Sequence, residues 1–248
     1  MSLEYSIPAS HAARATLALL RPHDLIGARK IRVGHPFDGG YIMIDAFEGV
    51  EAAYSFGIND DVSWDSQIAS HGIDVFQYDH TIEGLPETDP HFHWNKIGIA
   101  ARSGDGMTNI DDAVASNGHS NQRNMLLKCD IEGAEWETLR RTRAATLAQF
   151  SQIVIELHDL FRVGHSIDDV HQAIANLTHS HHVVHIHANN FGGVRVVGGF
   201  SIPNVVEVTL ARKDMGEFRP SELTFPTAMD MPCNGNEADI YLGNFTFS

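Results

Sequence analysis

Cysteine, positive charge and long apolar runs are all scarce in this chain, and each scarcity excludes something. Cys129 and Cys233 are its only cysteines. They are too few for a disulfide framework and lack metal-type spacing, so both are expected as reduced thiols, Cys129 being a small core residue rather than a nucleophile. Lys and Arg number 17 against 32 acids, for a net charge of -15. A general nucleic-acid binder needs clustered basic residues, so nucleic acid is not expected as a partner. No apolar run reaches the ~18 residues of a membrane span, and the first residues carry no charged-apolar-small leader pattern. The expectation is a cytoplasmic protein with no membrane partner. Neither a G-x-x-x-x-G-K-[ST] loop nor a G-x-G-x-x-G turn occurs, which removes the usual backbone cradles for phosphate.

What remains is an ordinary globular composition, 248 residues with 43% hydrophobic and a mean hydropathy of -0.17. A single domain is expected: a helical arm and hairpin over 1–50, a core over 51–213, and an irregular extension over 214–248 containing Pro220, Pro226 and Pro232. Within the core, strand and helix signals alternate, the pattern of a Rossmann-like α/β fold with a mostly parallel sheet and helices on both faces. The candidate strands run from Ala52 to Phe56, Ile73 to Tyr78, Trp94 to Ala100, Leu126 to Cys129, Gln152 to Leu157, His182 to His187 and Val205 to Ala211. The glycines between the last two suggest a hairpin excursion rather than a crossover helix, so the seventh strand is expected to be antiparallel. Ile240 to Phe247 is a candidate edge strand.

The fourth strand ends in two acids, Asp130 and Glu132. Two residues apart, they would share a face in extended geometry, at the sheet end where open α/β folds bind ligands. Earlier, Tyr54 to Asp79 has the order of a mononucleotide unit: strand, Gly57, helix, then a strand tipped by an acid. Gly57 and Asp79 are 22 residues apart, near the ~20 that let a carboxylate reach ribose hydroxyls. The helix start carries Asp60, Asp61 and Asp65, which would repel a diphosphate. S-adenosylmethionine has no phosphate and bears positive charge, so it is the expected cofactor over NAD or ATP. Glu156, His158, Asp159, His185, His187, Asn189 and Asn190 fall at or just beyond the ends of the fifth and sixth strands and form a candidate rim. On it, an acid or His158 could take a proton from a hydroxyl, or Asp130, His158 and His187 could hold a divalent metal.

Six stretches, DGGYIMID (38–45), YSFGINDDVSWD (54–65), VFQYDHT (75–81), LLKCDIEGAEWETL (126–139), IVIELHDL (153–160) and HANNFGG to VVEVTLA (187–211), carry a resemblance. In them the chain resembles the FkbM-like, class I S-adenosylmethionine-dependent methyltransferases, and KCDIEGAE is similar to that family's K-x-D-x-E-G-x-E. The resemblance implies a seven-stranded sheet with its last strand antiparallel. It implies that Phe56, Gly57, Ile58 and Asn59, with Gly40 and Tyr41, meet the amino-acid end of the cofactor. Asp79 and His80 would meet its ribose, and Gly98, Ile99 and Ala100 its adenine. Asp130 and Glu132 would face the transferred methyl, Asp130 touching the cofactor; with His158 from the rim they are the candidate catalytic residues, and His187, Asn189 and Asn190 are candidates for bordering the acceptor. The implied activity is O-methylation of a small hydroxylated molecule such as a sugar or secondary metabolite. A nicotinamide-dependent oxidoreductase and a non-catalytic metal-binding module are the alternatives.

Overall fold

A computed structural model describes residues 7–161 and 166–247; the first six residues of the expected lead-in therefore lie outside the described residues. The chain runs α1 (Ile7–Ala18), β1 (His23–Leu25), β2 (Lys30–Gly34), β3 (Gly40–Ile44), β4 (Ala52–Phe56), α2 (Ser63–Ala69), β5 (Val75–Tyr78), β6 (Phe92–Asn95), β7 (Gly98–Ile99) and β8 (Met107–Thr108). It continues through α3 (Ile110–Ser116), β9 (Met125–Cys129), α4 (Glu135–Arg141), α5 (Ala144–Leu147), β10 (Phe150–Leu157) and α6 (Ile167–Ser180). The last elements are β11 (His181–Ala188), β12 (Val194–Val197), β13 (Phe200–Pro203), β14 (Val206–Arg212) and β15 (Phe218–Pro220).

Among the described residues, seven strands form one sheet in the order β11-β14-β10-β9-β4-β5-β6. All are mutually parallel except β14, which lies antiparallel between β10 and β11. This is a Rossmann-like α/β sheet. The central strands β4, β9 and β10 are buried along their whole length, as continuous apolar runs covered on both faces must be. The β12–β13 hairpin fills the connection that the glycines between 192 and 199 suggested. Two expectations fail. The third strand was expected from Trp94 to Ala100, but the sheet strand is Phe92–Asn95, and Gly98–Ile99 leaves the sheet to pair with β8. Ile240 to Phe247 forms no strand; its backbone pairs with Phe225 at one isolated bridge, and Phe245 packs into the core.

The two faces are covered differently. One carries α1, α3, α4, α5 and α6 over a large core that includes Tyr54, Leu127, Ile155 and Trp136. The other carries one helix, α2, beside the antiparallel β2–β3 hairpin, packed on Ala53, Leu126 and Val154. The hairpin is tied to the sheet by Gln152, whose amide accepts from Ile44 N at 2.8 Å and donates to Ile44 O at 2.9 Å. The arm and the extension also meet, β1 pairing with β15. Among the described residues no helix is long and apolar enough to cross a membrane.

Ile44 O also accepts from Ala46 N at 2.8 Å, so Gln152→Leu strands chiefly the buried Ile44 N–H. We expect a loss of about 1–3 kcal/mol in unfolding free energy, read by urea denaturation. A loss below about 0.5 kcal/mol would show that the hairpin is held by apolar packing alone.

Candidate functional site

At the carboxyl ends of β4, β5 and β9 a cleft of about 830 Å³ opens, within the ~300–1,000 Å³ typical of small-molecule sites. Its first wall is the Gly57-Ile58-Asn59 turn. Gly57 and Asn59 both adopt left-handed backbone, with φ of 75° and 50°. Asp79, at the tip of β5, fixes that turn: Oδ2 accepts from Ile58 N (2.8 Å) and Asn59 N (3.0 Å), while Oδ1 accepts from Thr81 N (2.7 Å) and Thr81 Oγ1 (2.6 Å). Burial works against its charge, but these four hydrogen bonds hold the carboxyl below its ordinary range. Glycine is needed at 57 for a reason other than the expected one. A Cβ there would lie 1.6 Å from the Asp130 carbonyl oxygen, so it is the neighbouring strand end, not a ligand, that comes close. Gly98 is likewise crowded by His80 and Met107.

The second wall is the turn after β9. Asp130 N donates to Phe56 O at 2.9 Å, and Lys128, almost fully buried, donates from Nζ to Gly57 O at 2.7 Å. Asp130 and Glu132 do not share a strand face as expected. The strand stops at Cys129, Glu132 is left-handed at φ 55°, and its side chain is 85% exposed against 29% for Asp130. Behind them, fully buried Glu135 accepts through Oε1 from Ile131 N (3.0 Å) and Gly133 N (3.2 Å), closing the loop onto the start of α4. The same oxygen lies 3.1 Å from His158 Nδ1. His158 Nε2 faces Glu132 (3.5 Å), Glu156 (3.6 Å) and Asp130 (3.8 Å).

This crowding sets the charges. Burial pulls His158 down, but the Glu135 hydrogen bond and the charges of Glu135, Glu156 and Asp130 push it up to about 9. Burial, partly offset by Lys128 and His158, raises Asp130 to about 6. Glu156 is raised further, by burial and by the charges of Asp130 and Glu207. At neutral pH His158 is therefore an imidazolium and not a base, and Asp130 is the cleft-facing group poised near neutrality.

Several expected site residues sit elsewhere. Phe56 is buried against Tyr54 and Tyr78 on the helical face. Gly40 closes the hairpin, since a Cβ would meet His35 O at 1.9 Å. Tyr41 faces the sheet, and Ala100 lies outside the cleft wall. His158 stands behind Asp130. Gly57, Ile58, Asn59, Asp79, His80, Gly98, Ile99, Asp130 and Glu132 do line the cleft. Of the helix-start acids, Asp60 and Asp61 line it, whereas Asp65 is buried against Gln77 with the Lys128 charge near.

The expected fourth-fifth-sixth rim is interrupted because β14 separates β10 from β11. His187 consequently does not join Asp130 and His158 as a metal ligand: its Nδ1 is 2.7 Å from Glu207 and its Nε2 is 3.1 Å from Asp239. Asn189 donates to Glu156 (2.9 Å), and Asn190 clasps Asn234 of the extension. Among the described residues three groups have metal-compatible spacing: Asp130–Glu156–His158, Asp38–Glu156–Glu207 and His187–Glu207–Cys233. Asp38, Lys128, Glu135, Glu207 and Cys233 were missed as site residues. Lys128 and Glu207 did leave a signal, as lone charges inside apolar strands.

No family model matches the chain, and no curated protein matches it. Among solved structures it is similar to one described as "Putative hemolysin from Streptococcus thermophilus", with 13% identity and a TM-score of 0.38, covering 67% of this chain and 62% of that one. At that level neither fold nor function is carried over.

His158 and His187 are both raised to about 9 from an ordinary 6.5. Their protonated, ion-paired forms stabilise the folded chain fully below about pH 6.5, and that stabilisation is lost as pH rises through about 9. Ionisation of Asp130, raised above 3.8, works in the same direction at lower pH. We expect the urea midpoint to fall between pH 6.5 and 9 and the two imidazole resonances to titrate near the upper value by NMR. Titration of both near 6.5 would contradict the pairing.

Proposed function

We propose that the chain is an S-adenosylmethionine-dependent methyltransferase that transfers methyl to oxygen of a small hydroxylated acceptor. The observation that carries this reading is the charge of the cleft. Among the described residues Asp38, Asp60, Asp61, Asp79, Asp130 and Glu132 line it, no arginine does, and its single lysine is committed to the Gly57 carbonyl. Such a wall repels diphosphates and favours an adenosine compound with positive charge at its reactive end. The sheet, with its seventh strand antiparallel, also agrees with the FkbM-like resemblance.

In this reading the Asp79-braced turn and His80 border the ribose, and Gly98, Ile99 and Met107 supply a small apolar wall for the base. Asp79 acts chiefly as a positioning residue, because its four acceptor sites are taken by Ile58, Asn59 and Thr81. S-adenosylmethionine supplies an electrophilic methyl on a sulfonium. Asp130 accepts the proton of the acceptor hydroxyl; on the cleft wall and with a pKa of about 6, it is suited to do so. The imidazolium of His158 holds Asp130 in place and moderates its basicity. Phe37 and Phe191, exposed on the cleft wall, offer apolar surface to the acceptor.

Calorimetry with S-adenosylhomocysteine tests the reading. We expect saturable binding, weakened ~10-fold or more in Asp79→Ala as the turn loses its brace. Asp130→Asn should keep that affinity and lose ~10²–10⁴ in turnover. Failure of the folded protein to bind either S-adenosylmethionine or S-adenosylhomocysteine, with binding of NAD instead, would overturn it.

A further inference from the structure

The register of the sheet places charges where an isolated sheet would not tolerate them. In the β10–β14 ladder Glu156 lies directly opposite Glu207, and in the β14–β11 ladder Glu207 lies opposite His187. Residues directly opposite share a face, and like charges so placed repel. That face is the one bearing Gln152, and it is covered by β3 through the Gln152–Ile44 bonds. The Asp38 carboxylate enters from the hairpin turn, so that ligand oxygens of Asp38, Glu156 and Glu207 lie within 4.8 Å of one another. The histidine beside them does not neutralise all three, because both its nitrogens are committed to Glu207 and Asp239.

A second feature points to the same spot. Tyr41 stands on β3, 2% exposed, and its hydroxyl has no hydrogen-bond partner among the described residues. A buried hydroxyl without a partner is costly unless a ligand completes it. The side chain packs with Met43 and Val154 toward the sheet, and besides burial the charges that bear on its hydroxyl are those of Asp130, Glu156, Glu207 and Asp38.

We propose that Asp38, Glu156 and Glu207, with the buried Tyr41 hydroxyl completing the set, form a binding site for a divalent cation of the Mg²⁺ or Mn²⁺ class, reached from the cleft wall at Asp38. Donors no more than 4.8 Å apart can converge on one ion with metal–oxygen bonds of ~2.0–2.4 Å. Three carboxylates select a hard cation. Asp38 and Cys233 line the cleft, which gives the ion an entry path and leaves coordination positions for water or for acceptor oxygens. Asn189 serves as an outer brace, donating to Glu156 at 2.9 Å and to Asp38 at 3.3 Å. The set differs from the Asp130–Glu156–His158 group in two of its three members, and it does not depend on the methyl-transfer reading.

Mn²⁺ titration followed by electron paramagnetic resonance and calorimetry, without any cofactor, tests the site. The wild-type chain should bind one Mn²⁺. Glu207→Gln and Asp38→Asn should each weaken it by at least the ~10-fold that loss of an outer-shell partner costs, and Tyr41→Phe should weaken it less. Asp38 is an exposed turn residue, so Asp38→Asn keeps the fold and remains informative if Glu207→Gln unfolds. Asp130→Asn should leave Mn²⁺ affinity nearly unchanged. Absence of saturable Mn²⁺ binding, or binding that survives both Glu207→Gln and Asp38→Asn, would overturn the proposal; binding lost only in Asp130→Asn would do the same.

Discussion

The His158 ring sits against the carboxylates of Asp130, Glu132, Glu135 and Glu156, and the carboxyl-end rim of the sheet depends on that ring carrying a proton. Acids concentrated at strand ends would otherwise repel one another in a poorly solvated place. The imidazolium lets Glu135 stay buried while it gathers the amides of the loop after β9. That loop in turn presents Asp130 to the cleft and brings its carbonyl oxygen against Gly57. One charge thus couples the Asp130 end of the cleft to the turn at its other end.

A similar economy holds the turn after β4. The ionised Asp79 carboxylate gives its lone pairs to the backbone of Ile58, Asn59 and Thr81. Preorganised loops of this kind reduce the ordering cost of binding. The hairpin formed by β2 and β3 then acts as a cover, tied through Gln152 and contributing Asp38 and Tyr41 from above. The cleft therefore has a rigid sheet edge below and a strapped hairpin over part of it.

Much of the fold was legible in the sequence because buried parallel strands read as short apolar runs. Leu126 to Cys129 and Gln152 to Leu157 stood out for that reason, and the glycines between 192 and 199 correctly marked the excursion that turns β14 antiparallel. Gly98–Ile99 misled because a short apolar pair looks the same whether it stays in the sheet or leaves it to meet β8. The site was legible along the chain but not across it. Asp79 and Asp130 stood out as acids beyond strand ends, whereas pairing Asp38 with Glu207 requires knowing that β3 crosses β10 and β14. The strand-face argument for Glu132 failed at a left-handed backbone, which alternation does not anticipate.

We propose that the acid-lined cleft receives an adenosine compound with its reactive sulfur toward Asp130. A crystal structure of the chain grown with saturating S-adenosylhomocysteine measures this directly. The account predicts density with the ribose beside Asp79 and His80, the base against Gly98 and Ile99, and the sulfur facing the Asp130 carboxylate. An empty cleft under those conditions, or ligand bound on another surface, would contradict it.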